Sequence, residues 1–167
     1  MPKHAIRAIQ EYIYIPITIT IAAFVFLKVI VIGIIPTASM EPTYMAGSFF
    51  IGLRLIDRDA MERGTPVLFH HGDSLYIKRI IGLPGDTVNF QNGSVYIDGS
   101  PIDEAYLNFP VVTDSPTAAF AVPDNCYLML GDNRPISYDA RYWDNPYTQA
   151  DTIVARILFT TTLFNNE

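Results

Sequence analysis

The chain has 167 residues, enough for one domain of ordinary size, and half of them are hydrophobic. Its net charge of −6 is unevenly spread: residues 1–35 carry Lys3, Arg7 and Lys28 against Glu11, whereas residues 36–167 carry 8 basic and 16 acidic side chains. An acidic domain without a basic cluster excludes nucleic acid as a partner, and a single cysteine, Cys126, excludes an internal disulfide.

The apolar excess lies at the N-terminus. The sixteen residues from Tyr12 to Leu27, YIYIPITITIAAFVFL, carry no charge; Lys28 follows, and then VIVIGII to Ile35. A helix rising about 1.5 Å per residue needs roughly 20 residues to cross a hydrocarbon core about 30 Å thick. Tyr12 to Ile35 is long enough, with Lys28 snorkelling to the far interface and Tyr12 and Tyr14 anchoring the near one. This predicts one transmembrane helix over residues 12–30, its exit falling as late as 35, and the β-branched end of the run leading into a first strand. A cleaved signal peptide shares the positive start and apolar centre, but this run is long for one. Cleavage after Ala38 would also put Pro36 at the −3 position. Positive residues near a span stay cytoplasmic, so residues 1–11 are expected inside the cell and residues 36–167 outside it.

Past the span, short apolar segments alternate with turns: SFFIGLRLI, TPVLFH, LYIKRII, TVNF, SVYIDG, CYLML and IVARILF. Asn92-Gly93 between TVNF and SVYI is a hairpin signal, because both residues tolerate positive φ. Residues 101–122 read as an irregular excursion. The fold class is therefore mainly β, a single β domain behind one N-terminal transmembrane helix.

Three segments carry candidate chemistry. Directly after the span, in PTASMEPTY, two prolines bracket Ser39 and hold it on a rigid, exposed turn. A serine hydroxyl needs a base. His4 lies on the wrong side of the membrane, and the adjacent His70 and His71 suit a solvated turn better than a Ser-His pair or a metal site. The remaining base is in LYIKRIIGLPGD, where strand alternation places Lys78 between Tyr76 and Ile80 on one face. Apolar neighbours desolvate an ammonium and lower its pKa from about 10.4, which suits a neutral lysine to general-base work; a lysine snorkelling off the strand is the plainer alternative. The third segment, LGDNRPISYDARYW, is polar and turn-rich. Its Asp139 and Arg141 fit a surface pair of little energetic worth, and Ser137 is able to hydrogen-bond the amine of Lys78 and fix its direction. Cys126, in the apolar CYLML, reads as a small buried hydrophobe.

SMEPT just after a membrane anchor, YIKRIIGLPGD some forty residues on, and GDNRPISYDAR beyond it resemble the type I signal peptidase family, and GTPVLF and VYIDGSPI fit further segments of it. The resemblance covers nearly the whole chain. It implies a signal-peptidase-like catalytic β domain docked on the outer face of the cell membrane, and a Ser-Lys serine endopeptidase that removes signal peptides from exported preproteins. Ser39 matches the nucleophile and Lys78 the general base. Thr37 matches the hydroxyl that joins the Ser39 N–H in the oxyanion hole, Ser137 the lysine-orienting serine, and Asp139 and Arg141 the supporting pair. No metal and no cofactor is implied; the partners are preproteins and membrane lipid. Pro135-Ile136 stands where the family commonly has Asp-Asn, and DNPY at 144–147 replaces a glycine-containing stretch, which bears on local geometry and substrate preference. Two other readings remain: a related peptidase dedicated to a pilin or another single substrate, and an inactive membrane-tethered β domain that binds a partner.

Overall fold

A continuous run of apolar residues with no charge between Tyr12 and Leu27 favours a helix, and α1 spans Lys3–Val29, passing through Pro16. The computed structural model describes the backbone of residues 3–107 and 111–161, and side chains from Tyr12 onward. The side chains of residues 1–11, the stretch expected inside the cell, lie outside that description. Tyr12–Val29 is long and apolar enough to cross a bilayer, and none of it is buried against the rest of the protein. Within it, the hydroxyls of Thr18 and Thr20 donate to the carbonyls of Tyr14 and Pro16 at 2.9 and 2.7 Å, so neither needs water as a partner.

The helix gives way without a loop to β1, Ile30–Ile34, where β-branched residues take over. The other strands are β2 (Phe49–Leu53), β3 (Pro66–His71), β4 (Ser74–Gly82), β5 (Thr87–Gln91), β6 (Ser94–Ile97), β7 (Ser100–Pro101), β8 (Ala119–Ala121), β9 (Cys126–Leu130), β10 (Tyr147–Gln149) and β11 (Ile153–Thr161). A seven-stranded antiparallel sheet has the order β1-β2-β11-β3-β4-β9-β10, and a four-stranded one the order β7-β6-β5-β8. The fold is mainly β behind one apolar helix, as the sequence implied. At the β5–β6 hairpin, Asn92 and Gly93 take φ values of 51° and 77°, the positive pair that a two-residue turn requires. The excursion over 101–122 is mostly irregular in its described part, but its end, β8, adds to β5 and closes the edge of the small sheet.

Two cores lie on opposite faces of β4. The larger gathers Val67, Phe69, Ile80, Leu128, Met129 and Trp143; the smaller gathers Ile35, Phe50, Leu68, Ala155 and Ile157, with Tyr44 and Ile77 against it. Outside the smaller core, Ile32, Ile34, Ile51, Leu158 and Phe159 leave an exposed apolar surface on β1, β2 and β11, continuous with the end of α1.

Candidate active site

Ser39 sits in a single 3-10 turn, Ala38–Met40, between β1 and β2. Pro36 and Pro42 flank it and the turn packs against β4. Ser39 is half-buried, and its Oγ lies 3.3 Å from Thr37 Oγ1. The turn is held from the other side by Asn133, whose backbone N–H donates to the Ser39 carbonyl and whose side-chain amide donates to the Ala38 carbonyl, each at 3.1 Å.

Lys78 lies opposite Val67 in the β3–β4 ladder, with Tyr76 opposite Phe69. Its face is thus the face of the larger core, and Lys78 is 2% exposed. The expectation of apolar flanks is met and the snorkelling alternative is not. Lys78 Nζ donates to Ser137 Oγ at 2.9 Å. Burial pushes the amine down to about 8; the carboxylate of Asp139 acts against that shift and the guanidinium of Arg141 adds to it. Asp139 compensates so little because it is already engaged: Arg141 Nε and Nη2 donate to its two oxygens at 2.8 and 3.0 Å, and the Gly131 N–H donates to it at 2.9 Å. Asp139 and Arg141 are both buried, so the surface-pair reading of these residues is corrected: the segment packs its charges inward.

The loop over residues 131–141 brings these groups together by close approach. A Cβ at Gly131 would collide with Ser137 Oγ and with the Ser39 carbonyl oxygen, so only glycine admits both neighbours. Three further buried groups, which the sequence did not single out, brace the loop. Arg79 donates to Asp132 through Nε at 2.8 Å, and the two form a buried ion pair. Arg134 donates to the Gly131 carbonyl at 2.9 Å, to Thr113 Oγ1 at 2.6 Å and to the carboxylate of Glu104, which ties the 101–122 excursion to the loop. The available signal for them was a charged residue inside an apolar strand, as in IKRII, and an acid closing one, as in LGD.

Ser39, Thr37 and Lys78 line one cleft of about 650 Å³, whose floor is the apolar side of the smaller core: Ile35, Phe50, Leu68 and Ile77. β9 pairs with β4 only from Arg79 onward, so among the described residues no strand lies beside the edge from Ser74 to Lys78 on that side. Ile136, from the departing Pro135-Ile136 pair, lines the same cleft, while Asp144, Asn145 and Tyr147 line a neighbouring one. His70 is exposed and His71 stacks on Trp143, with ring centroids 3.9 Å apart; neither lines the cleft of Ser39. Cys126 is half-buried on β9, and burial raises its thiol pKa, which leaves it a packing residue.

Residues 9–162 match the family model described as signal peptidase, peptidase S26. A probable signal peptidase I-2 of Synechocystis is 43% identical over 121 residues, covering 65% of this chain and 53% of that protein. Signal peptidase I S of Bacillus subtilis is 36% identical over 140 residues, covering 77% of this chain and 73% of that protein. The crystal structure of a signal peptidase I from Enterococcus faecalis matches with a TM-score of 0.49 at 28% identity, over 58% of this chain and 96% of that one.

Proposed function

The chain belongs to the signal peptidase, peptidase S26 family, and from that membership we propose that it is the membrane-anchored serine endopeptidase that cuts signal peptides from exported preproteins, with Ser39 as nucleophile and Lys78 as general base. One observation carries the assignment of roles. The serine and a lysine whose pKa burial lowers to about 8 open onto the same cleft, and among the described residues no histidine does.

In the proposed reaction a preprotein lies extended along the unpaired edge of β4. Neutral Lys78 Nζ takes the proton of Ser39 Oγ as the oxygen attacks the scissile carbonyl. The oxyanion receives the Ser39 N–H and the Thr37 hydroxyl. Collapse breaks the peptide bond, and Lys78, now an ammonium, gives its proton to the leaving amine. Lys78 next takes a proton from water as it attacks the acyl ester, and returns that proton to Ser39 Oγ as the ester bond breaks. Ser137 holds the amine in direction, and the Asp139–Arg141 pair holds the loop that carries Ser137. An extended substrate presents alternate side chains to the cleft, and, as in the family, small residues such as Ala are expected at −1 and −3.

The charge split supports an N-terminus in the cytoplasm and residues 36–167 on the outer side of the cell membrane, with Tyr12–Val29 of α1 as an anchor between them. The apolar surface of β1, β2 and β11 beside the anchor supports a domain resting on the lipid. Anchoring enzyme and substrate in one bilayer raises their effective concentration.

The test is cleavage of a preprotein by the purified full-length chain in detergent, with N-terminal sequencing of the product. A single cut after an Ala-x-Ala segment, lost in Ser39→Ala and blocked by Phe at −1, is the expected result. Cutting that persists in Ser39→Ala, or efficient cutting after Phe, would overturn the reading.

A further inference from the structure

Gly131 follows β9 and opens the loop that carries Ser137, and it is gripped at both of its backbone polar groups. Its N–H donates to Asp139 at 2.9 Å, and its carbonyl accepts from Arg134 Nε, also at 2.9 Å. Behind each grip stands an arginine–carboxylate pair: Asp139 with Arg141 on one side, Arg134 with Glu104 on the other. The two pairs are joined, because Arg141 Nη2 donates to the Arg134 carbonyl at 2.8 Å. Asp139 and Arg141 already belong to the site. Glu104 reaches it from outside, from the start of the 101–122 excursion.

What this grip holds lies close to the chemistry. Ser137 Oγ stands 2.1 Å from where a Cβ on Gly131 would be, so a shift of Gly131 passes straight to the hydroxyl that accepts from Lys78. Arg134 is itself part of the turn that presents Ser137, whose N–H donates to the Asn133 carbonyl at 2.9 Å. The Arg134 side chain is fully buried, and among the described residues its ion-pair partner is Glu104. Tyr106 keeps that carboxylate in place, its hydroxyl donating to Oε1 at 2.6 Å, and Thr113 Oγ1 accepts from Arg134 at 2.6 Å. Removal of Glu104 would strand a buried guanidinium, and Asp132, the residue after Gly131, is the other carboxylate that acts on it. We propose that Glu104 is a positioning residue for the reaction: through Arg134 it fixes Gly131, and through Gly131 the Ser137 hydroxyl that directs Lys78. The assignment rests on the peptidase reading above. Loss of Glu104 lets Arg134 turn to Asp132 and release the Gly131 carbonyl.

Arg63 and Asp86 supply the control. Theirs is also an arginine–carboxylate pair, with the Asp86 side chain 13% exposed like that of Glu104, but none of their side-chain hydrogen bonds reaches the 131–141 loop. Full-length Glu104→Gln, Asp86→Asn, Ser137→Ala and the double variant Glu104→Gln/Ser137→Ala are assayed for preprotein cleavage in detergent. Each is measured at a temperature where circular dichroism shows it folded. Glu104→Gln is expected to lower kcat about tenfold with KM unchanged, since a misdirected amine slows the chemistry and not the binding. Asp86→Asn keeps the wild-type kcat. In the Ser137→Ala background no hydroxyl is left to direct the amine, and Glu104→Gln then costs less than about twofold. Should Glu104→Gln not fold, Tyr106→Phe replaces it in the same cycle: it frees the carboxylate without stranding a charge, and about threefold is the expected loss. A wild-type kcat in the variant, an equal loss in Asp86→Asn, or losses that multiply in the double variant would overturn the positioning role alone. Full cleavage by Ser39→Ala would bring down the peptidase reading, and this role with it.

Discussion

Lys78 and Arg79 are consecutive residues of β4, 2% and 4% exposed, and they turn to opposite faces of the strand. Around Arg79 the protein supplies everything a cation asks for. Asp132 takes two of its nitrogens, the Gly64 carbonyl takes a third at 2.7 Å, and the ring of Tyr106 lies 4.2 Å from its central carbon. Burial works to lower its pKa, but the hydrogen bonds and charge of Asp132 outweigh it and leave the guanidinium above its ordinary value. Among the described residues Lys78 has one hydrogen-bond partner, the Ser137 hydroxyl, and Asp139, the carboxylate that acts most on it, is already bound to Arg141. Burial then wins, and the amine falls to about 8. Equal removal from water fixes one charge and loosens the other; what decides is whether a carboxylate has been left free to answer it. Arg79 serves the fold, and Lys78 is left with the lowered pKa that the proposed general base needs.

The harshest way to break this contrast is to put an arginine on both faces. Lys78→Arg keeps the charge and most of the length, but a guanidinium does not release its proton near neutral pH. We expect kcat to fall by about 10⁴, the upper end for loss of a general base and roughly 5.5 kcal/mol, in a protein that stays folded by circular dichroism. A folded Lys78→Arg enzyme that keeps a tenth of the wild-type turnover would reject the dyad.

The reverse experiment removes the answer on the other face. Arg79→Met leaves Asp132, which is wholly buried, without its partner, and breaking a buried pair in this way costs about 3–5 kcal/mol. Denaturant unfolding of the detergent-solubilised chain should show that loss. Adding Asp132→Leu should return most of it, because the stranded charge is what costs. An unfolding midpoint for Arg79→Met equal to that of the wild type would mean that the pair contributes nothing.

Thr37 sharpens the chemical side. Thr37→Val keeps the shape and deletes the hydroxyl 3.3 Å from Ser39 Oγ. If that hydroxyl meets the oxyanion, kcat drops by about 10²–10³, or 2.7–4 kcal/mol, with KM little changed and Thr37→Ser largely active. A rise in KM alone would move Thr37 from the oxyanion to substrate binding.

How far the sequence foretold this arrangement depends on how local each feature is. β3, β4, β9, β11 and the β5–β6 hairpin were legible because each is a run of β-branched and aromatic residues closed by a turn, and Asn92-Gly93 fixes its own geometry. β7, β8 and β10 are two or three residues long and exist only through their neighbours, so no pattern announces them. The same division runs through the site. Ser39 between prolines and Lys78 on an apolar strand face stand out along the chain. The grip of Asn133 on the Ser39 carbonyl, Arg79 on Asp132 and Arg134 on Glu104 join segments far apart in sequence, and only the folded loop over 131–141 brings them within reach.

The mildest change tests the single contact that Lys78 does have. Ser137 Oγ accepts from Nζ at 2.9 Å, so it steers the amine and gives the ammonium form its one neutral partner. If Lys78 is the general base, only its neutral amine takes the serine proton. The kcat/KM of the free enzyme should therefore rise tenfold per pH unit below about 8 and level off above it. Ser137→Ala removes an acceptor that favours the charged form, so the midpoint moves to lower pH. The plateau also falls, by about tenfold or 1.4 kcal/mol, because an undirected amine spends less time facing Ser39. The two effects have opposite consequences at low pH, where the variant recovers part of its loss relative to the wild type. A complete pH profile of preprotein cleavage separates them. A lowered plateau with an unmoved midpoint would mean that Ser137 shapes the loop without touching the charge of Lys78, and an unmoved profile throughout would remove Ser137 from the site.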